Sequence, residues 1–304
     1  MAVNLTRLLT EQVEGALRAL EKPGASQEEA IHSVRKQVKK IRALFRLVRS
    51  ELNKKTFRRE NAHYRSIGHR LSRLRDATVM INTLDKLRET YPDVLPATEY
   101  DTLKQTLVER QAEANHAFFG TATNLEEVAD AFRQARLTVF DLSGKATSFS
   151  VLAPNLKAIY RRGRRALRVA TREPSSHNLH ELRKDVKTIW YHTRLLEPVW
   201  PGLLDAFGQE LGQLGELLGD DHDAGVLAHE LESGGLPLPD EEAKEAVLQA
   251  LQQQRTRLQA VIFPLAKRVF AEKTGNYVSR YRRYWALWQA ETELEPATYQ
   301  SVNA

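Results

Sequence analysis

Cysteine is absent from the 304 residues, which excludes a disulfide framework, thiolate metal ligands and thiol catalysis. No window reaches the roughly 18 uncharged apolar residues of a membrane helix. The opening Met1-Ala2-Val3-Asn4-Leu5-Thr6-Arg7 lacks the apolar run of a signal peptide, so the expected location is cytoplasmic. Strand-like alternation is missing. So are the Gly-x4-Gly-Lys-Ser/Thr phosphate loop, His-Glu-x2-His and Gly-x-Ser-x-Gly. Aromatics make up 8%, with few of them among the basic stretches, which argues against stacking on nucleic-acid bases.

What is present is charge, and it is segregated. The net charge is +6, but residues 31–75 hold 15 Lys/Arg against 2 Asp/Glu, and residues 157–194 hold 11 against 3. The remainder is net acidic. Two cationic blocks on an acidic background suit an anionic ligand better than solvated helix faces do. The first block is the plainest. His32, Arg35, Lys36, Lys39, Arg42 and Arg46 follow steps of mostly three and four, which stack on one side of an α-helix. Val34, Val38, Ile41, Phe45 and Val48 fall on the other side, so one stripe is built for a core and the other for a polyanion.

Breakers fall at helix-length intervals throughout, and the expected fold class is all-α. Helices are expected at about 4–20, 27–51, 54–90, 97–119 and 124–141, then at 155–172, 176–197, 201–232, 240–273 and 275–294. Ser26 with Glu29 makes a capping box, and Ser175 or Ser176 caps the corresponding later helix. The two sets form a repeat, with repeat one at about 1–147 and repeat two at about 148–295. His32-x2-Arg35-Lys36-x2-Lys39 recurs as His180-x2-Arg183-Lys184-x2-Lys187, and Arg46 as Arg194. Leu74-Arg75-Asp76-Ala77 answers Asp221-His222-Asp223-Ala224. A duplicated unit packs naturally about a pseudo-twofold axis, which would bring the two cationic helices together.

These paired helices, each followed about 43 residues later by an Asp, resemble the CHAD family (conserved histidine α-helical domain). The resemblance spans residues 1–295, leaving 296–304 as a tail. It implies two helical bundles around a basic central groove that binds inorganic polyphosphate, with no cofactor, no catalysis and a place at polyphosphate granules. Many members carry a triphosphate-tunnel domain ahead of this one. Its Glu-x-Glu-x-Lys signature is missing here, so a stand-alone member is expected.

A binder of polyphosphate needs a row of donors and no base-reading pocket; Arg offers a planar fork and Lys a point charge. The expected row is His32, Arg35, Lys36, Lys39, Arg42 and Arg46 from the first motif helix, with His180, Arg183, Lys184, Lys187 and Arg194 from the second. Lys157, Arg161, Arg164, Arg165 and Arg168 add a stripe that the first repeat lacks. Arg58, Arg65, His69 and Arg73 support it, and Arg280 and Arg283 are further candidates. His32 and His180 are the family's namesake positions. Protonation of either would tighten binding from pH 8 to pH 6.

Two rival readings remain. Asp220-Asp221-His222-Asp223, with His229, is the start of a metal-dependent phosphohydrolase site. Its repeat partner Arg75-Asp76 keeps the Asp and loses the His, which favours a carboxylate that orients a neighbouring base. Nucleic-acid binding would use the same basic stripes. Gly208, Gly212, Gly215 and Gly219 each cost about 1 kcal/mol against Ala in a helix, so close packing against another helix is expected there.

Overall fold

In the computed structural model, which describes residues 5–21, 27–140, 148–238 and 240–301, the chain is helical and no strand occurs among those residues. The first half contains α1 (Leu5–Glu21), α2 (Gln27–Leu47), α3 (Lys54–Arg70), α4 (Arg73–Thr90), α5 (Ala97–Phe119) and α6 (Ala122–Phe140). The second contains α7 (Phe149–Arg172), α8 (Ser176–Leu195), α9 (Pro201–Glu232), α10 (Glu241–Val269) and α11 (Thr274–Ser301). Short 3-10 turns at Arg49–Glu51 and Glu197–Val199 follow α2 and α8.

The apolar stripe of α2 is inside, as its spacing requires: Val34, Val38, Ile41, Phe45 and Val48 are all buried. They join a large core with Tyr64 and Ile67 of α3, Leu156 and Tyr160 of α7, Leu182 and Val186 of α8, and Leu211 and Leu214 of α9. α1 packs on α2 and α6, and α7 packs on α8 and α11. A second core forms where the α4–α5 hairpin meets the α9–α10 hairpin, around Leu84, Leu87, Leu103, Leu227, Leu231 and Val247. Burying a leucine of this kind stabilises by roughly 1.5–3 kcal/mol, so the second core holds the two halves together at a distance from the first. Lys86 Nζ on Asp220 Oδ1 at 3.0 Å, and Arg110 on Glu230 and the Gly235 carbonyl, close the same junction.

The helices depart most from the sequence expectation at three places. The single helix expected over 54–90 is broken at Leu71–Ser72, because Ser72 takes the His69 carbonyl with both its amide (3.2 Å) and its hydroxyl (2.8 Å). A side-chain donor of this kind competes with the helix ladder and starts a new helix. α7 begins before Pro154: Ser148 caps it, and a proline in its second turn sacrifices only one bond near the start. α11 continues to Ser301, seven residues past the expected end and into the segment expected as a tail. Ser175 caps α8 by accepting from the Asn178 amide at 3.3 Å, as expected. Ser26 and the first part of the expected join between repeats lie outside the described residues.

Candidate anion-binding site

α2 and α8 cross at the middle of the molecule. His192 on α8 bonds through Nε2 to the Ala43 carbonyl of α2 at 3.0 Å, and Arg46 Nη1 donates to Thr188 Oγ1 at 3.2 Å. The crossing carries the basic columns of both motif helices into one neighbourhood. Lys39 remains open to solvent, yet the protein around it removes part of its hydration, and Arg35, Arg183, Lys187 and Arg75 repel its charge. Together these push the Lys39 ammonium down to about 8. Lys187 is shifted downward by burial and then by Arg183, with Glu216 opposing. Lys40, on the neighbouring side of α2, is lowered by burial and by the charges of Lys36 and Arg194.

Two acids adjoin the row. Asp76 on α4 pulls on Arg35, and Asp223 on α9 pulls on Arg183. Asp223 is itself raised by burial, against the pull of Arg183, Lys86 and Arg75. Each motif arginine therefore has one carboxylate near it in the corresponding place. Arg35 Nη1 and Arg183 Nε are buried donors with no hydrogen-bond partner among the described residues.

The two motif histidines also have matching surroundings. His32 Nδ1 accepts from Arg75 Nη1 at 2.6 Å. A guanidinium only donates, so His32 is held as the neutral ring with its proton on Nε2. His180 lies with its ring centre 4.4 Å from that of His222, the residue that answers Arg75 in the sequence. Burial and then neighbouring cations hold both motif histidines below the usual 6.5. The expected tightening between pH 8 and pH 6 therefore draws less on these two rings than on an ordinary histidine, and Lys39, at about 8, titrates inside the same window.

The glycine face of α9 packs on α8. A Cβ at Gly215 would stand 2.8 Å from Lys187 Cε, and one at Gly219 would stand 3.0 Å from Arg183 Nη2. The missing side chains make room for the two long cations to lie along α9. Trp190 lies beside Lys187 and Arg194, at 5.0 and 5.5 Å from ring centre to cation.

The other expected residues divide. Arg42 donates to Asn61 at 3.3 Å and is repelled by Arg65, so α3 does adjoin the α2 column there. Arg46, Arg161, Arg165 and Arg168 line an open cleft of about 670 Å³ between α2, α3, α7 and α8. Lys157 lines a different recess, toward Val278 and Arg282 of α11, and Arg164 acts on Tyr160 on the Glu272 side. Lys184 is paired with Glu181. Arg58 and His69 are exposed on α3, Arg283 is exposed on α11, and the Arg73 side chain lies outside the described residues. Arg280 does not join the row: Glu272 holds it through two hydrogen bonds of 3.0 and 2.8 Å, over the rings of Phe207, Tyr277, Tyr281 and Tyr284.

The expected row left out Arg75, which bonds to His32, Arg49 and Arg162, which line the cleft with Arg46, and Lys40, which lies near Arg194. Arg75 had a signal, since it aligns with His222 in the repeat. Arg162 had none, because its role depends on Asp185, 23 residues away on another helix.

The Asp220–Asp223 run is dispersed by the helix that carries it. Asp220 binds Lys86, and Asp221 is fully buried against Arg255 (3.3 Å) and Gln259 (2.8 Å). His222 meets His180, and Asp223 faces Arg183. No group of three His, Asp or Glu positioned to hold a metal occurs among the described residues. No helix there is long and apolar enough to cross a membrane.

Comparison with known proteins is consistent with this architecture. A family model described as CHAD domain matches residues 7–232. Among solved structures, PptA from Streptomyces chartreusis aligns over 88% of this chain and 98% of its own, with a TM-score of 0.63 and 18% sequence identity. That likeness concerns the fold. No curated protein sequence matches the chain.

Proposed function

The chain belongs to the CHAD-domain family, and from that premise we propose that it binds inorganic polyphosphate, without catalysing its turnover, in a basic groove formed where α2 and α8 meet. The observation that carries this reading is the gathering of Arg35, Lys39, Arg75, Arg183 and Lys187 from three helices around one point. Like charges brought together without a ligand destabilise the fold, and a flexible polyanion relieves that repulsion. The row continues along α2 through Arg42 to Arg46, which is lowered to about 10 by burial and by Arg42 and Arg162. Ion pairing and counterion release supply the affinity, so binding weakens steeply with added salt.

The duplication read from the sequence fits the same arrangement. Arg46 approaches Thr188, and Arg194 acts on Lys40; because the repeat equates Arg46 with Arg194 and Lys40 with Thr188, the two contacts are counterparts, as a twofold would require. Asp76 and Asp223 then serve as carboxylates that orient Arg35 and Arg183. The dispersal of Asp220–Asp223 among separate cationic partners supports binding over hydrolysis. Nucleic acid is disfavoured because Trp190, an aromatic beside the row, already has Lys187 and Arg194 over its ring. Granule association would follow from binding.

The test is charge reversal at Arg35, Lys39, Arg183 and Lys187. Long-chain polyphosphate binding should be abolished while helical content survives. Normal binding by the folded quadruple variant would place the ligand elsewhere.

A further inference from the structure

The two ends of the row are unlike. At the Arg46 end, α7 contributes Arg161, Arg162, Arg165 and Arg168 to the cleft, and Arg49 and Phe57 complete one wall. At the corresponding place in the first half, α1 carries Arg7 paired with Glu11 and Arg18 paired with Glu14. Among the described residues the cleft is therefore present once.

It is also built. Arg162 is fixed by Asp185, whose side chain is 5% exposed, through an Nε hydrogen bond of 2.6 Å and a second contact from Nη2. Asn155 ties α7 to the turn after α2 through the Leu47 carbonyl (2.9 Å) and Ser50 Oγ (3.1 Å). Arg161, Arg165 and Arg168 have no carboxylate partner among the described residues. All the basic residues lining the cleft are arginine. Arginine forks recognise phosphate oxygens two at a time, which suits a compact, highly charged group more than a sliding chain. His192 lies at the floor as an uncharged ring: its Nε2 is bound to Ala43, and burial holds it down to about 4.

We propose that this cleft is a separate subsite for a terminal oligophosphate group, and that it gives the bound chain an end and a direction. The chain ends of polyphosphate carry a second ionisation near pH 6 that internal units lack, so they are the more negative part at neutral pH. A free linear triphosphate offers the same chemistry. The assignment of the end group to a long chain rests on the polyphosphate reading; the cleft's capacity for a compact linear oligophosphate does not.

Titration calorimetry at pH 7.5 with three probes separates these. Linear tripolyphosphate has two ends, cyclic trimetaphosphate has none, and long-chain polyphosphate has both ends and interior. Wild type should bind tripolyphosphate at least about tenfold tighter than trimetaphosphate. Arg161→Gln with Arg165→Gln should erase that preference. Lys39→Gln with Lys187→Gln should keep tripolyphosphate and weaken the long chain to about the affinity of tripolyphosphate. Circular dichroism melts establish that both variants fold, and Arg168→Gln alone gives a milder version of the first if it does not. Equal affinity for the ring and the linear triphosphate, or an arginine variant that keeps the preference, overturns the proposal. If tripolyphosphate binds as expected and wild type holds the long chain no more tightly than tripolyphosphate, the polyphosphate reading fails and the cleft is a site for free oligophosphate.

Discussion

Replacing Gly215 with alanine should separate stability from binding. Alanine in place of glycine inside a helix stabilises it by about 1 kcal/mol. The new methyl would stand 2.8 Å from Lys187 Cε and 3.0 Å from its Nζ, so the end of that side chain must swing away. Doing so gives up the approach to Trp190, 5.0 Å from Nζ to ring centre, at a cost of about 0.5–1 kcal/mol for a solvent-accessible cation–π pair. The net effect on folding is then between zero and about +0.5 kcal/mol, a melting shift of roughly 1 °C. Binding behaves differently. A charge-assisted hydrogen bond is worth about 1.5–3 kcal/mol, so a displaced Lys187 should weaken polyphosphate by roughly tenfold or more. It should also lower the slope of log affinity against log salt by about one. Thermal melts and salt-dependent titrations read both quantities on one sample. A melting temperature that drops several degrees would mean that Lys187 cannot move. Full affinity with an undiminished salt slope would mean that Lys187 is not in the site.

Lys39 gives a pH signature. Its ammonium is lowered to about 8 when free. An anion raises it again, so binding takes up a proton near pH 8 and affinity falls as pH rises from 7 to 9; calorimetry in buffers of different ionisation heat reads the uptake, and Lys39→Arg should abolish it. The same shift means that the unfolded chain holds more protons between about 8 and 10.5, so the ligand-free protein should gain stability as pH rises through that window. Asp221→Ala strands Arg255, whose side chain is 13% exposed, and should cost about 3–5 kcal/mol in urea unfolding; Mn²⁺ should restore nothing. Arg280→Ala should lose roughly 1–3 kcal/mol of stability through Glu272 and the rings while leaving polyphosphate affinity unchanged.

The sequence made the division of α2 into a core side and a charged side readable, because a period near four residues admits one helical arrangement. Repetition did the same for the site: the matched positions of His32 and His180, and of Asp76 and Asp223, pointed to equivalent roles before any geometry was known. Position along one helix was less informative about direction in space. Lys157 and Arg164 share a stripe with Arg161 and Arg165 on a helical wheel, yet Lys157 lines a recess beside α11 and neither it nor Arg164 lines the cleft. Arg280 belonged to the same compositional signal as the others, and only the fold reveals Glu272 beside it. The break at Ser72 was hidden because serine is compatible with a helix interior, and its hydroxyl's choice of the His69 carbonyl is a local competition that residue identity does not decide.

The most direct measurement is a crystal structure of the protein soaked with polyphosphate of defined length. Continuous phosphate density should run between Lys39 on α2 and Lys187 on α8 and pass along Arg42 toward Arg46. Phosphate bound only at separate outer surfaces, with the space between those two lysines filled by water alone, would contradict a shared groove.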